Sequence, residues 1–284
     1  MPEQSLHALS LHTSLQGAFD RYWQKFNDVI QPDFTRQFAN LAGNKALVDE
    51  LARVWIGSDF VADLCCSAPA MLFDLMDSGD LQRNYNKQDY INKLVSRLTE
   101  VGSEEALMRE LRLFRQRELV RIIWRDLART ATLIDTTRHV SWLADVCIDQ
   151  ALNWLYGQAC EKWGVPSTLV NGQWVPQRMV VIGMGKLGAK ELNVSSDIDL
   201  MFTYQGKGCT QGGARELDNQ EFFVRLGQRL IHVLDSRTAD GFVFRVDMRL
   251  RPYGQSGALA LNFDAMCQYY QLQGRDWERY AMIK

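Results

Sequence analysis

No apolar run in this 284-residue chain approaches the ~20 residues needed to cross a bilayer, so no membrane-spanning helix is expected. A basic surplus is also missing. The 32 Lys and Arg residues stand against 34 Asp and Glu, a formal charge of -2, which argues against the broad positive surface that duplex nucleic acid demands. The six cysteines, Cys65, Cys66, Cys147, Cys160, Cys209 and Cys267, form no CxxC pair and no finger-type spacing with His7, His12, His139 or His232. Buried free thiols in a reducing compartment are the expectation. The segment from Met1 to Leu15 carries Glu3, His7 and His12 but no basic stretch followed by an apolar one, so no secretory leader is read and cytoplasmic residence follows by default.

What is present fits an ordinary soluble chain, 46% hydrophobic and 23% charged, long enough for about two domains. From Leu6 to Trp163 apolar residues recur three and four apart, with few glycines, which predicts a helical domain. Ser103 suits the N-cap of one helix, with Glu104 and Glu105 in its first turn. Leu107, Leu111, Phe114, Val120, Ile123 and Leu127 then share one face. Arg109, Arg112, Arg115, Arg117, Arg121 and Arg125 cover much of the rest and read as a solvated face with pairs such as Glu105 with Arg109; a docking surface is the alternative. Another helix is expected from Trp142 to Trp163, ended at Gly164-Val165-Pro166.

Asn171-Gly172 between Leu169-Val170 and Trp174-Val175 predicts a hairpin turn, and the domain boundary is placed here, dividing the chain into 1–165 and 166–284. The fold class is α+β: an amino-terminal helical domain, then a domain with a small mixed sheet and flanking helices. In the second part a polar loop is expected over 206–213 and a helix over 216–235, in which His232 reads as structural or solvent-facing. The run Gly241–Arg251 alternates as a strand, with Phe244, Val246, Met248 and Leu250 on one face and Arg245, Asp247, Arg249 and Arg251 on the other. Three bases and one acid on one face suggest the floor of an anion site. Asp276 and Glu278 read as charged helix surface, with a site-lining role as the alternative.

The chemistry concentrates between Met179 and Phe202. A strand-like run, Met179-Val180-Val181-Ile182, feeds the glycine turn Gly183-Met184-Gly185-Lys186-Leu187-Gly188. A second run from Ile198 to Phe202 carries Asp197 and Asp199 at its head, one residue apart and therefore on one face of a strand. Two carboxylates without a cation would repel, so metal binding is preferred to turn or capping duty. With Asp247 they supply the all-oxygen ligand set that two Mg²⁺ ions, or Mn²⁺, need for phosphoryl transfer. Lys186, Arg249 and Arg251 can neutralise charge on a phosphate, and the backbone at Gly185 can approach one closely. Ser196 is placed on a phosphate or a backbone hydrogen bond, since Ser195 and Ser196 have no His/Asp partners for nucleophilic work. The glycine turn also has the form GxGxxG, but no acid ends a second strand about twenty residues on, so nicotinamide binding is not preferred. GxxxxGK[ST] is absent.

The glycine turn followed by Asp197-Ile198-Asp199 resembles the nucleotidyltransferase superfamily related to DNA polymerase β. Further strings narrow the likeness: Glu191-Leu192-Asn193, Ser195-Ser196-Asp197-Ile198-Asp199-Leu200, Arg215-Glu216-Leu217-Asp218-Asn219, Val246-Asp247-Met248-Arg249-Leu250-Arg251-Pro252 and Gly274-Arg275-Asp276-Trp277-Glu278-Arg279-Tyr280. From Met108-Arg109-Glu110-Leu111-Arg112 to its end the chain is similar to the family of bifunctional glutamine synthetase adenylyltransferase/adenylyl-removing enzymes. The resemblance implies two related halves, of which the amino-terminal one removes AMP from a tyrosine of glutamine synthetase by phosphorolysis, giving ADP. The carboxy-terminal half attaches AMP from ATP, and PII signal proteins and glutamine set the balance. A chain that begins with Met1 and holds one motif set after a helical region is expected to be the removing half. Asp197 and Asp199 match the family's metal-binding pair, Asp247 the third carboxylate, and Gly185 and Lys186 the turn facing the phosphates. Ala189-Lys190 departs from the pattern, standing where glycine is frequent, and is expected to stiffen the turn slightly. The alternatives are an adenylyltransferase using ATP and a docking module for glutamine synthetase or PII without turnover.

Overall fold

Short polar side chains start most helices of the amino-terminal region by accepting backbone N–H groups that the first turn leaves unpaired. Asn44 accepts from Leu47 at 3.2 Å, Ser58 from Val61 at 3.3 Å, and Ser103 from Ala106 at 3.2 Å. Asn86 and Asp89 cap each other reciprocally. The computed structural model describes residues 12–283; the expected helical pattern from Leu6 to Leu11, and His7, lie outside the described residues. In chain order the helices are α1 (Thr13–Asp28), α2 (Thr35–Gly43), α3 (Lys45–Gly57), α4 (Asp59–Ser67), α5 (Pro69–Asp77), α6 (Lys87–Leu98), α7 (Glu104–Leu127) and α8 (Leu133–Trp163). The helix expected from Trp142 thus begins nine residues earlier, at Leu133, where Asp135 and Thr132 cap each other. Gly164 ends it in the left-handed conformation. Among the described residues no helix is long and apolar enough to cross a membrane.

The chain divides into two compact units. The first comprises residues up to Tyr85 together with Gln116–His139. Its core is aromatic: Phe19, Phe26 and Trp55 are fully buried, and Trp55 lies edge-on to Phe26 at 5.4 Å. The arginines of α7 in this unit are interior residues, which corrects the expectation of a solvated face. Arg117 donates to Asp74, Asp80 and Glu118, each at 2.7 Å, and Arg121 to Glu118 at 2.9 Å. Glu118 and Arg121 are 0% exposed, and the Arg121 guanidinium lies 3.6 Å from the centre of the Tyr85 ring. A buried charge persists only when paired, and these are. No ion pair joins Glu105 to Arg109 among the described residues.

The second unit comprises Asn86–Arg115 and Val140–Lys284. Here β1 (Val165–Val170) and β2 (Gln173–Pro176) form the expected hairpin, with Val170 opposite Gln173 and positive φ at Asn171 and Gly172. A mixed sheet follows, built on β3 (Val180–Met184) and β4 (Ile198–Tyr204), which are antiparallel and separated by the single-turn α9 (Gly185–Gly188). The loop expected over 206–213 contains β5 (Cys209–Gln211), paired to β1. Next comes α10 (Asn219–Asp235), capped by Asp218 and burying Phe222, Phe223, Leu226, Leu230 and Val233. Then β6 (Val246–Asp247) and β7 (Ala260–Asn262) both pair parallel to β4, and α11 (Phe263–Leu272) and α12 (Asp276–Ala281) follow. The mixed α+β class read from the sequence is the class observed. An antiparallel β3–β4 pair is not the parallel crossover of a dinucleotide fold, in keeping with the weak fingerprint.

The strand expected over Gly241–Arg251 is two residues long. Asp247 accepts the Arg249 N–H at 2.8 Å, which turns the backbone out of the sheet at once. All six cysteines are free; Cys65, Cys66 and Cys147 are buried and Cys267 is exposed. Glu278, expected on the surface, is buried: it accepts the Tyr269 hydroxyl at 2.8 Å and the Arg275 N–H at 2.7 Å.

Candidate active site

The site forms where β3, β4 and β6 end together. Register sets Asp199 beside Met184 on one side and beside Asp247 on the other. Paired residues on neighbouring strands project to the same face, so Asp199 and Asp247 stand side by side about 5 Å apart in backbone spacing. Asp197 precedes the first residue of β4, and the Ile198 N–H that follows it is donated to the Arg245 carbonyl at 2.9 Å.

The three acids are held differently. Asp197 is paired with Arg245, whose guanidinium also donates to the Ser195 carbonyl at 2.7 Å. Asp247 accepts Arg249 Nε at 2.7 Å as well as the Arg249 backbone N–H. That hydrogen bond from Arg249 holds the Asp247 carboxyl below the usual range, against the opposing effect of burial. The Asp199 carboxylate accepts no hydrogen bond and forms no ion pair among the described residues. Burial first, then the charges of Asp247 and Asp197, push its carboxyl above the ordinary value, and Arg249 and Lys186 offset this in part.

The glycine turn lies against this carboxylate. Gly185 has φ +55, and a Cβ there would stand 3.1 Å from Asp199 Oδ2. Lys186, on the single turn that follows, donates to Ser196 Oγ at 3.4 Å, and Ser196 in turn donates to Asn193 Oδ1. Ser196 is thus tied to the Lys186 side of the turn. Arg251 is placed elsewhere: its guanidinium donates to the carbonyls of Met248 at 2.8 Å, Gln255 at 3.1 Å and Gly257 at 3.4 Å, closing the loop after β6. Of the two arginines, Arg249 is the one on an acid of the site.

From the sequence Arg245 was read only as one base of the anion-site face and Asn193 only within a motif string; the pairing of Arg245 with Asp197 and of Asn193 with Ser196 was not foreseen. Arg245 was visible two residues before Asp247 on the same face, and Asn193 three residues before Ser196, the spacing of a side-chain-closed turn. Among the described residues no group of three or more His, Cys, Asp or Glu side chains is gathered as a metal site. The donors are of the type a hard divalent cation takes: carboxylate oxygens only, one of them raised in pKa by burial first and then by the charges of Asp247 and Asp197. Asp199, Asp247 and Asp197 are the residues able to hold such an ion, beside cations suited to phosphate.

Comparison with known proteins gives a concordant answer. Residues 48–284 match the model of the GlnE family, glutamate-ammonia ligase adenylyltransferase. The chain is 55% identical over 237 residues to a Pseudomonas aeruginosa protein named bifunctional glutamine synthetase adenylyltransferase/adenylyl-removing enzyme, covering 84% of this chain and 24% of that protein. It is 49% identical over 282 residues to the Hahella chejuensis protein of the same name, covering 99% of this chain and 28% of the relative. The chain therefore spans about a quarter of the length of these curated relatives. With its two aligned acids, glycine turn and family match over residues 48–284, the chain belongs to the glutamate-ammonia ligase adenylyltransferase family.

Proposed function

We propose that this chain carries a nucleotidyltransferase centre that removes AMP from the adenylylated tyrosine of glutamine synthetase. The observation that carries the reading is the register of Asp199 against Asp247 beside the Gly185-Lys186 turn. Orthophosphate is the attacking group. One of its oxygens forms a bond to the α-phosphorus of the AMP-tyrosine, the bond from that phosphorus to the phenolic oxygen breaks, and the products are ADP and tyrosine once the phenolate takes up the proton left by the phosphate. Lys186 neutralises charge on the nucleotide phosphate, and Arg249, which is largely exposed, holds the incoming anion. Mg²⁺ or Mn²⁺ held by Asp197, Asp199 and Asp247 supplies Lewis-acid stabilisation of the phosphate oxygens when bound.

The direction of transfer and the partners are carried over from the resemblance. The relatives' names couple attachment and removal, and glutamine synthetase is the substrate those names give. A PII signal protein as regulator, cytoplasmic residence, and a catalytic region of 166–284 preceded by a helical region of 1–165 belong to the same proposal.

ADP release from adenylylated glutamine synthetase, measured with and without orthophosphate, tests it. Phosphate-dependent ADP is expected, and Asp197→Asn or Asp199→Asn should abolish it in a folded protein. Retained activity in both variants overturns the assignment of the centre. Transfer of label from ATP to unmodified glutamine synthetase would make the chain an adenylyltransferase, and binding without either product a docking module.

A further inference from the structure

Arg112, on α7, is 0% exposed and belongs to no ion pair among the described residues. Its hydrogen-bond partners are all backbone carbonyls, and the charge of Asp240, within the same segment, also acts on it. Nε donates to Gly241 at 2.9 Å, Nη1 to Met108 at 2.7 Å and Val233 at 3.2 Å, and Nη2 to Ser236. Val233 and Ser236 lie at the end of α10, where carbonyls lack helical donors, so the guanidinium works as a C-terminal cap supplied by another helix. Gly241 closes the tight turn that follows, its carbonyl also accepting Thr238 N–H at 2.8 Å. One side chain thus ties together both ends of the segment 236–241.

That segment leads directly into the site. Phe244 N–H is donated to the Leu234 carbonyl at 3.0 Å, after which come Arg245, which pairs with Asp197, and Asp247, which stands beside Asp199. One turn along α7 from Arg112, the Arg115 guanidinium lies 5.0 Å from the Phe242 ring centre and 5.8 Å from that of Phe244. The Arg245 guanidinium lies 5.7 Å from the same Phe242 ring. From α7 to the acids the connection therefore runs through Phe242 to Arg245 and Asp197, and through the main chain to Asp247. A hydrocarbon side chain at position 112 would avoid the desolvation of a buried charge, but it could not join the carbonyls of Val233, Ser236 and Gly241.

We propose that Arg112 is a positioning residue for the reaction, acting through 236–244 to place Arg245 and Asp247; this rests on the reading of the centre given above. Arg112→Lys keeps the charge and loses the fork. The expected result is a folded chain in which kcat for phosphate-dependent AMP removal falls about 10- to 100-fold, since small displacements of reacting groups cost that much. KM for adenylylated glutamine synthetase should stay within about twofold, as positioning acts on the bound state. Backbone amides of 242–248 should exchange faster while those of β3 and β4 do not. Unchanged kcat, a rise in KM instead, or faster exchange spread evenly over the sheet overturns the proposal. If Arg112→Lys does not fold, Phe242→Leu, at a half-buried ring, is held to the same kcat, KM and exchange outcomes. A wild-type chain with no turnover would count against the functional reading alone, and the local exchange in the variant would still decide the role of Arg112.

Discussion

Asp199 and Asp247 are direct neighbours in the parallel pairing of β4 with β6, and only Asp247 has an arginine of its own. The imbalance separates their behaviour. Between the ordinary carboxyl value of 3.8 and the raised value in the folded chain, the folded protein keeps a proton on Asp199 that the unfolded chain has lost. Stability from this group therefore falls as pH rises through that window, and at pH 7 its charge works against the fold. Asp199→Asn should raise the melting temperature at pH 7 while phosphate-dependent ADP release drops by at least about 100-fold. A lower melting temperature at pH 7 than wild type would contradict this reading of its surroundings.

Gly185 and Lys190 both have positive φ, +55 and +60, but only one of them carries a Cβ. Gly185→Ala introduces left-handed strain of about 1–2 kcal/mol and crowds Asp199 Oδ2, so stability and turnover should both fall. Lys190→Gly relieves comparable strain, less the added freedom of glycine in the unfolded chain, and should stabilise by about 0.5–1 kcal/mol. Urea unfolding of the two variants should show shifts of opposite sign.

Glu118 accepts from Arg117 at 2.7 Å and Arg121 at 2.9 Å with no exposure to solvent. Glu118→Gln leaves two arginines beside a neutral amide in the interior, and should cost about 3–5 kcal/mol. The measure is the urea midpoint at pH 7, and a change under 1 kcal/mol, on the order of an exposed pair, would refute the network's role.

His139 is nearly buried, its Nε2 lying 3.1 Å from Asn84 Oδ1. Burial first, then Arg121 and Arg125, push its value down from 6.5 to about 4. As pH falls from 6.5 toward 4 the unfolded chain takes up a proton that the folded chain refuses, so stability is lost across that interval. The loss attributable to this residue is at most roughly 3 kcal/mol. His139→Gln should flatten the dependence of the urea midpoint on pH between 4 and 6.5.

Features set by neighbours in sequence were legible before the structure. The Asn171-Gly172 turn, the Ser103 cap and the five buried residues of α10 needed only local spacing. Asp197 and Asp199 were readable as a pair because they head the apolar run from Ile198 to Phe202, and Asp247 stood out as the one acid on the basic face of an alternating stretch. Arg112, Arg117, Arg121 and Arg125 of α7 were misread as solvated, whereas Arg109 is exposed as expected; two of the partners that bury Arg117, Asp74 and Asp80, lie 43 and 37 residues away. Alternation over 241–251 could not reveal that Asp247 would bond the Arg249 N–H and stop the strand after two residues. Likewise Arg251 looked like a companion of Arg249, yet carbonyls four and six residues further on claim it.

The pairing of β4 has one more consequence. One of its edges is taken by β3, and the other is shared by β6 at Ile198 and Asp199 and by β7 at Phe202 to Tyr204. A protein segment presented to Asp199 finds no open edge of this strand to extend as an added strand. Under the reading proposed above, the modified residue would meet these acids through side chains and turn backbone at the strand end rather than as a strand added to β4.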